Sequence, residues 1–319
     1  MNSHLSLPGM THFCLLIVIT SGFFSSATAA DRSACQDSGV SLQILGSGGP
    51  VADDARASTG YLVWIDGKSR YLIDAGGGVF LRFAEAGGDF AELDLIAISH
   101  FHADHSADLP ALLKSGYFAK RQRELPVSGP AGAPPFPGLN DYLGAILDSD
   151  DGAYGYLSGY LDGSAGLPEL HQIEARRGTG KTILILGSAS TGSRVDAMVV
   201  PHGIVPALAY RVQIGDKSIV FSGDQNGSDA RFIEFAKNAD ILVMHMPIAE
   251  GTTGAGRKLH APPSVIGEIA AKAEVDTLVL SHFMARSLRD LDRNVSLIRS
   301  VFAGPVLIAN DLDCISVVD

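Results

Sequence analysis

The 319-residue chain is acidic and rich in glycine: 24 Lys and Arg stand against 35 Asp and Glu, which gives a net charge of −11, and 36 residues are glycine. Charged residues make up 18%, below the usual share of about 25%, and 46% are hydrophobic. This composition excludes a disordered or coiled-coil protein and suffices for one large domain or two small ones. Because phosphate backbones are bound through clustered Lys and Arg, it also argues against an extended nucleic-acid surface.

The N-terminal segment 1–30 is predicted to be an export signal. Residues 13–24 form an apolar run of 12 residues, and small residues follow at 25–30, a pattern typical of a secretory signal peptide cleaved after about residue 29 or 30. The run is shorter than the about 20 apolar residues of a transmembrane helix. Since no Lys or Arg precedes it, a retained N-terminal anchor is the alternative. We therefore expect a periplasmic or secreted protein, without stable membrane insertion, whose folded domain spans 31–319.

Two cysteines, Cys35 and Cys314, remain outside this segment. In an oxidising compartment these cysteines could form one disulfide. The alternative is that they are two separate buried thiols that are not in contact. Neither residue has the spacing of a metal-binding motif. The sequence leaves both arrangements open.

The remaining chain alternates strands and helices. Residues 41–50 are predicted to be a strand that enters a glycine loop. Apolar runs predict further strands at 93–99, 197–202, 239–246, 275–283 and 305–310, hairpins at 61–78 and 209–224, and helices at 79–89, 107–121 and 263–273. The first hairpin turns through Asp66-Gly67, and both hairpins share a Lys-Ser pair and an Asp beside Gly after the second strand, a weak echo that indicates two related halves stacked face to face. Residues 126–190, rich in Gly, Pro and Asp, are predicted to be a loop-rich insertion with one helix that covers a site.

The strongest chemical signal is the run HFHADH, which follows an apolar strand. It places His100, His102, Asp104 and His105 within six residues. Imidazole nitrogen and carboxylate oxygen are preferred ligands of borderline metals such as zinc. The run therefore indicates a metal site.

Further ligand-type residues follow other apolar strands. His202 follows MVVP, Asp224 follows IVFSG and His282 follows LVLS. Each lies at the end of a predicted strand, where loops carry functional side chains. We expect these residues to converge with the histidine run at one edge of a sheet.

In this order the motifs resemble the ligand pattern of the metallo-β-lactamase superfamily. LGSGGP with Arg56 and Ser58, LIDAGGG, HFHADHSADLPALL, PHGIVPALAYRV, FSGD and LVLSHFMARS together look like its tRNase Z and arylsulfatase-like branch, over about residues 41–290. The resemblance implies an α/β fold of the αββα type, with two stacked mixed β-sheets flanked by helices. It also implies a metal-dependent hydrolase that is often dimeric.

The resemblance implies two Zn²⁺ ions, although Mn²⁺ or Fe stays open. His100, His102 and His202 would hold one ion, and Asp104, His105 and His282 the other. Asp224 would bridge them. Two such cations lower the pKa of a shared water and stabilise both the entering and the leaving oxygen.

The candidate catalytic side chains are His260 and Asp104, the latter also a ligand. His260 lies in RKLHAPPS and resembles the histidine that protonates the leaving oxygen in tRNase Z; neighbouring Arg257 and Lys258 would attract an anionic ester. The Glu expected after His245 in that family is absent. His245 is therefore predicted to have a structural or supporting role.

These observations predict an exported binuclear zinc hydrolase of small anionic esters, either phosphodiesters or aryl sulfates, with a metal-bridged hydroxide as nucleophile. Nucleic acid is not expected as a partner, because tRNase Z commonly carries a tRNA-clamping arm between the residues matching His202 and Asp224, only 22 positions apart here. An exported enzyme would not meet tRNA. The alternatives are a tRNase Z-type endoribonuclease, a lactone or thioester hydrolase, and a non-catalytic metal-binding protein of the same fold.

Overall fold

The structure is a computed structural model that describes Met1 and residues 34–176, 182–188 and 192–317. Its contacts divide the chain into two units, Met1–Asp31 and Arg32–Asp319. The predicted export signal lies, apart from Met1, outside the described residues. All the strands and helices given below belong to the second unit. Among the described residues, every helix is too short or too polar to cross a membrane.

The described residues contain fourteen strands in two sheets of seven. The first sheet has the order β14-β1-β2-β3-β4-β5-β6, and the second has the order β13-β12-β11-β10-β9-β8-β7. The strands are β1 Val40–Gly46, β2 Gly60–Ile65, β3 Lys68–Ile73, β4 Leu95–Ala97, β5 Leu125–Pro130, β6 Leu170–Ala175, β7 Ile183–Ser188, β8 Ser193–His202, β9 Val205–Ile214, β10 Lys217–Phe221, β11 Ile241–His245, β12 Thr277–Ser281, β13 Val306–Ile308 and β14 Cys314–Val317.

Helices cover the outer faces of the two sheets. They are α1 Val79–Glu85, α2 Ala103–Ser106, α3 Leu109–Gly116, α4 Leu139–Leu147, α5 Gly159–Asp162, α6 Arg231–Phe235, α7 Gly254–Leu259, α8 Pro263–Lys272, α9 Ala285–Leu288 and α10 Leu291–Arg299. Short 3₁₀ turns lie at Ala34–Gln36, Phe90–Glu92 and Gly155–Leu157. The predicted helices at 79–89, 107–121 and 263–273 are confirmed with shorter bounds.

Side chains of each sheet alternate between an inner and an outer core. On β2, Tyr61 and Val63 pack between the sheets, whereas Leu62 and Trp64 pack outward with the helices of the first sheet. A strand that is buried on both faces is apolar throughout, which explains the continuous apolar runs. The αββα architecture implied by the resemblance is confirmed.

Both predicted hairpins are present. β2 and β3 pair antiparallel through Asp66 and Gly67, whose φ angles are 50° and 70°, as a tight two-residue turn requires. β9 and β10 pair through Gly215, whose φ is 59°. Each hairpin lies in a different sheet, so the echo in the sequence corresponds to similar positions in the two halves.

The range 126–190 differs from the loop-rich insertion that its composition indicates. Its described residues hold most of β5, all of β6 and β7, and α4. β5 has the sequence LPVSGP, in which two prolines and a glycine obscure the strand pattern. The range therefore extends both sheets instead of lying outside them.

A disulfide joins Cys35 to Cys314, with 5.6 Å between their Cα atoms. It links the segment before β1 to β14, which pairs antiparallel with β1. Two cysteines 279 residues apart in sequence therefore meet because the first and last strands are neighbours.

Candidate metal centre

The carboxyl ends of several parallel strands meet at one edge of the two sheets. β4 runs parallel to β3, and β11 runs parallel to both β10 and β12. Side chains that follow these strands therefore come together. The residues gathered there are Asp74, His100, His102, Asp104, His105, His202, Asp224, His245, His260 and His282.

Two backbone positions at this edge adopt left-handed conformations. Asp74 has φ 61° and His282 has φ 57°. Such angles are uncommon outside glycine and are held by the surrounding structure. A Cβ on Gly49 would lie 3.0 Å from the ring of His282, so the glycine loop leaves room for this histidine.

The side chains of the histidine run lie close to one another and to His282. His100 follows β4, and its Nε2 lies 2.9 Å from Nδ1 of His102. His105, on α2, places its Nε2 3.1 Å from Nε2 of His282. Asp104 places Oδ2 3.2 Å from Nε2 of His282. Ring nitrogens that face one another this closely are arranged as ligands of a shared cation would be.

Asp224 lies in the middle of the histidines. Its Oδ2 is 3.9 Å from Nε2 of His100, 3.7 Å from Nε2 of His105 and 3.6 Å from Nε2 of His202. Its Oδ1 is 3.3 Å from Nε2 of His282. The carboxylate thus faces both ends of the cluster, as a bridging ligand would.

The donor atoms fit divalent cations in two groups. In each group one possible ligand atom per residue lies within 4.8 Å of the others; the groups are His100, His102, His202 and Asp224, and His105, Asp224, His245 and His282. Both ring nitrogens of His245, however, already contact Tyr61 and Asp224. His202 supports this fit. Its Nδ1 lies 2.9 Å from the carbonyl oxygen of Leu259, whereas its buried Nε2 has no hydrogen-bond partner among the described residues. The lone pair of a neutral imidazole at Nε2 therefore faces Asp224, as metal ligation requires.

Burial keeps several of these imidazoles neutral. It lowers the pKa of His100 well below its usual value, the pKa of His245 to about 4 and the pKa of His260 to about 3. Desolvation penalises the charged form of each ring. Neutral imidazole is the form that ligates metal ions.

At His105 and Asp224, the combined effect of neighbouring charges on the pKa outweighs the effect of burial. Burial alone would lower the pKa of His105, but Asp74, Asp104 and Asp224 raise it well above its usual value. Burial alone would raise the pKa of Asp224, but His282 and other histidines hold it well below its usual range. The carboxylate of Asp224 is therefore ionised at neutral pH.

The structure also brings in Asp74, to which the sequence motifs gave no role, and His245, which was predicted to have a structural or supporting role. Asp74 accepts hydrogen bonds from the Ser99 amide and hydroxyl, and its Oδ2 lies 2.9 Å from Nδ1 of His105. Its position after β3 repeats the strand-end pattern that identified the other residues, so that pattern could have found it. His245 places Nδ1 2.8 Å from Oδ1 of Asp224, so it belongs to the cluster.

A cavity of about 430 Å³ opens onto the centre. His102, His202 and His260 line it together with Pro50 of the glycine loop and the cationic Arg286 of α9. No described residue of the range 126–190 lines this cavity. The ring centroid of Phe136, in this range, lies 6.3 Å from that of His102. The expectation that 126–190 covers the site is not met at this cavity.

Arg257 and Lys258 lie beside the cavity and not in it. Arg257, on α7, donates to the carbonyl oxygen of Asn226. Lys258 is exposed. Of the cations named so far, Arg286 is the one that reaches the cavity.

Two sheets with flanking helices, and histidines and carboxylates at one edge, define a metal-dependent hydrolase. Residues 69–283 match the family described as the beta-lactamase superfamily domain, and the chain belongs to this superfamily. The resemblance in the sequence motifs is thereby confirmed. So is the prediction of a metal-dependent enzyme.

Curated relatives share most of the chain. The Ribonuclease Z of Mycobacterium bovis (strain BCG / Pasteur 1173P2) is 26% identical over 291 residues, which cover 87% of this chain and 98% of the relative. The Ribonuclease Z of Mycobacterium sp. (strain KMS) is 28% identical over 260 residues, which cover 77% of this chain and 84% of the relative.

Solved structures share the fold. Human tRNase Z, short form, has a TM-score of 0.67 at 18% identity and is matched over 88% of this chain and 100% of its own. The metallo-beta-lactamase fold protein YhfI from Bacillus subtilis has a TM-score of 0.65 at 20% identity, over 86% of this chain and 98% of its own.

Three predictions are wrong in the light of these relatives. Proteins that match most of the chain are named ribonucleases, which contradicts a hydrolase of small phosphodiesters or aryl sulfates. The same finding contradicts the exclusion of nucleic acid as a partner. It also contradicts a periplasmic or secreted location, which was predicted from the segment 1–30, and that segment lies, apart from Met1, outside the described residues. The alternative, a tRNase Z-type endoribonuclease, is the better-supported function.

Proposed function

We propose that this protein is a metal-dependent endoribonuclease of the ribonuclease Z type that hydrolyses phosphodiester bonds in RNA. The proposal depends on one observation: 98% of the length of the Mycobacterium bovis Ribonuclease Z aligns with this chain. The alignment therefore spans a whole enzyme and not only a shared fold core. The site offers the chemistry that such an enzyme needs.

We assign two divalent cations, most simply zinc, to this centre. One is assigned to His100, His102 and His202, the other to Asp104, His105 and His282, with Asp224 shared between them. When bound, the ions would lower the pKa of a water molecule and stabilise negative charge that develops on the phosphate oxygens. The paired ring nitrogens support this assignment, as does Nε2 of His202, for which the described part of the chain offers no hydrogen-bond partner.

The chain's own residues supply a proton donor and a cation. His260 lines the cavity, with Nδ1 3.8 Å from Oδ2 of Asp224, and is assigned the transfer of a proton to the leaving oxygen. Burial disfavours its protonated form, whereas an anionic phosphodiester beside the ring favours that form. Arg286 is assigned to the phosphate, because a guanidinium pairs with two phosphate oxygens at once.

The RNA would be held without a long arm between His202 and Asp224. β8 ends at His202, β9 begins at Val205, and β10 ends at Phe221, so this stretch is used by strands and tight turns. Recognition would therefore rest on surfaces around the cavity.

The test uses purified protein loaded with zinc and tRNA transcripts that carry extra nucleotides at both ends. We expect endonucleolytic cleavage next to the tRNA body, loss of cleavage after metal removal, and recovery when zinc is restored. An unstructured RNA of the same length serves as the control substrate. Absence of cleavage of either RNA by protein with two bound metal ions would refute the ribonuclease proposal.

A further inference from the structure

A buried tyrosine of the first sheet, Tyr61, contacts His245, which belongs to the metal centre and lies on β11 of the second sheet. Tyr61 lies on β2, and its side chain points into the core between the sheets, where its ring centroid is 5.4 Å from that of Phe221. Its Oη lies 3.0 Å from Nε2 of His245. Tyr61 is 0% exposed and His245 is 4% exposed, so water does not compete for this bond.

The other ring nitrogen of His245 faces the central carboxylate. Nδ1 lies 2.8 Å from Oδ1 of Asp224. An ionised carboxylate can only accept a hydrogen bond, so Nδ1 must carry the proton. In a neutral ring Nε2 is then an acceptor, and the tyrosine hydroxyl is its donor. Burial raises the pKa of the Tyr61 phenol, so the oxygen keeps its proton.

We propose that Tyr61 is a positioning residue of the metal centre, which acts through His245 to hold the Asp224 carboxylate in its orientation toward the surrounding histidines. The chain of contacts runs from the Tyr61 hydroxyl to Nε2 of His245 and from Nδ1 to Oδ1 of Asp224. With Oδ1 held in this way, Oδ2 faces Nε2 of His202 at 3.6 Å. The inference rests on the metal centre of the proposed function.

The partners of Tyr61 distinguish it from the other tyrosines of the same core. Tyr71 is also 0% exposed and lies in the same hydrophobic cluster, but its hydroxyl bonds to Oγ of Ser193, on β8. A Tyr71→Phe variant therefore loses a buried hydroxyl hydrogen bond whose partner is not one of the histidines or carboxylates of the centre. It is the matched control for Tyr61→Phe.

The first experiment measures zinc affinity by competition with a chromogenic chelator, together with thermal unfolding. We expect Tyr61→Phe to weaken zinc binding about tenfold, in the range that loss of an outer partner of a metal ligand produces. Tyr71→Phe should bind zinc within about twofold of the wild type, although both variants lose one buried hydrogen bond. Unchanged zinc affinity in Tyr61→Phe, or an equal loss in both variants, would overturn the proposal.

A second experiment asks whether Tyr61 acts through His245. In a His245→Ala background, Tyr61→Phe should weaken zinc binding by less than about twofold more, because coupled residues are not additive. A further tenfold loss would overturn the pathway. Zinc content of His245→Ala should stay near two per chain; a loss of one equivalent would make His245 a ligand and overturn the assigned proton position.

The two proposals fail in different ways. A wild-type protein that binds no divalent metal would overturn the metal centre and the role of Tyr61 with it. Zinc binding that depends on Tyr61 in a protein that cleaves no RNA would refute the ribonuclease function and support the positioning role.

Discussion

At the scale of single residues, the centre is organised by the partners of the Nδ1 atoms of His100, His105 and His202, which lie on the side of each ring away from Asp224. Three rings contact the protein through Nδ1 and face Asp224 with Nε2 at 3.6 to 3.9 Å. The pairs of ring and partner are His100 with Oγ of Ser99, His105 with Oδ2 of Asp74, and His202 with the carbonyl oxygen of Leu259. Such partners set the tautomer and the direction of the ring before a metal arrives.

Asp74→Asn should weaken zinc binding about 10- to 100-fold, because the negative charge behind His105 is lost. Asn tolerates the left-handed backbone of this position, so the change is chemical and not conformational. Asp66→Asn, at a turn residue with φ 50°, is the control and should leave binding unchanged. Titration against a metal-binding dye measures both variants. Equal affinities in Asp74→Asn and the wild type would contradict the positioning role of this carboxylate.

His260→Ala should lower the rate of RNA cleavage about 10²- to 10⁴-fold, the usual contribution of a general acid. Zinc content should stay near two per chain, because His260 is not assigned as a ligand. His171→Ala, an exposed residue of β6, is the control and should cleave at the wild-type rate. Single-turnover cleavage and metal analysis give the two quantities. An unchanged rate in His260→Ala would remove this residue from the mechanism.

At the scale of elements, the centre depends on close backbone approach between loops at the strand ends. The amide of Ala75 donates to the carbonyl oxygen of His105, and the amide of Thr59 donates to that of Asp104. Gly76 lies between them, and a Cβ there would overlap the backbone of Asp104. The glycines of LIDAGGG thus set how near the loop after β3 comes to the histidine run.

Gly76→Ala should lower the free energy of unfolding by about 1–3 kcal/mol, the usual cost of overpacking, and should weaken metal binding because the loop that carries Asp104 must move. Gly77→Ala is the matched control, since among the described residues, apart from its two chain neighbours, no heavy atom lies within 4 Å of a Cβ at Gly77. Urea unfolding and zinc titration test the pair. If both variants behave alike, close packing at Gly76 is not what positions the loop.

At the scale of the whole molecule, net charge is a poor guide to the substrate. The value of −11 sums over the entire surface, whereas a phosphodiester meets only the cavity, with its cation Arg286 and its cluster of metal-binding side chains. Composition therefore argues against an extended basic surface but not against a local site for RNA. The wrong exclusion of nucleic acid followed from using a global sum for a local question.

The disulfide is a second feature of the whole molecule, because it closes a loop of nearly the entire folded chain. Reduction, or the double change Cys35→Ser and Cys314→Ser, should lower the free energy of unfolding by about 2–4 kcal/mol. Urea unfolding with and without a reductant measures this. The double variant is the control, since the reductant should not affect it further. A wild-type midpoint that is insensitive to reductant would contradict the stabilising role.

The two-sheet fold was implied by the family resemblance of the motifs. Short-range patterns in the sequence predicted the hairpins, the histidine run and the strand-end residues His202, Asp224 and His282. These features depend on periodicity and on spacings within a few residues, which the order of the chain records directly. β5, in 126–190, escaped because two prolines and a glycine mask its alternation.

Only the tertiary structure decided that Tyr61 contacts His245, that Asp74 supports His105 and that Cys35 meets Cys314. Tyr61 and His245 are 184 residues apart, and they meet because two sheets stack face to face across a shared core. Such contacts depend on how the sheets are paired and packed, and no local pattern of residues encodes that packing.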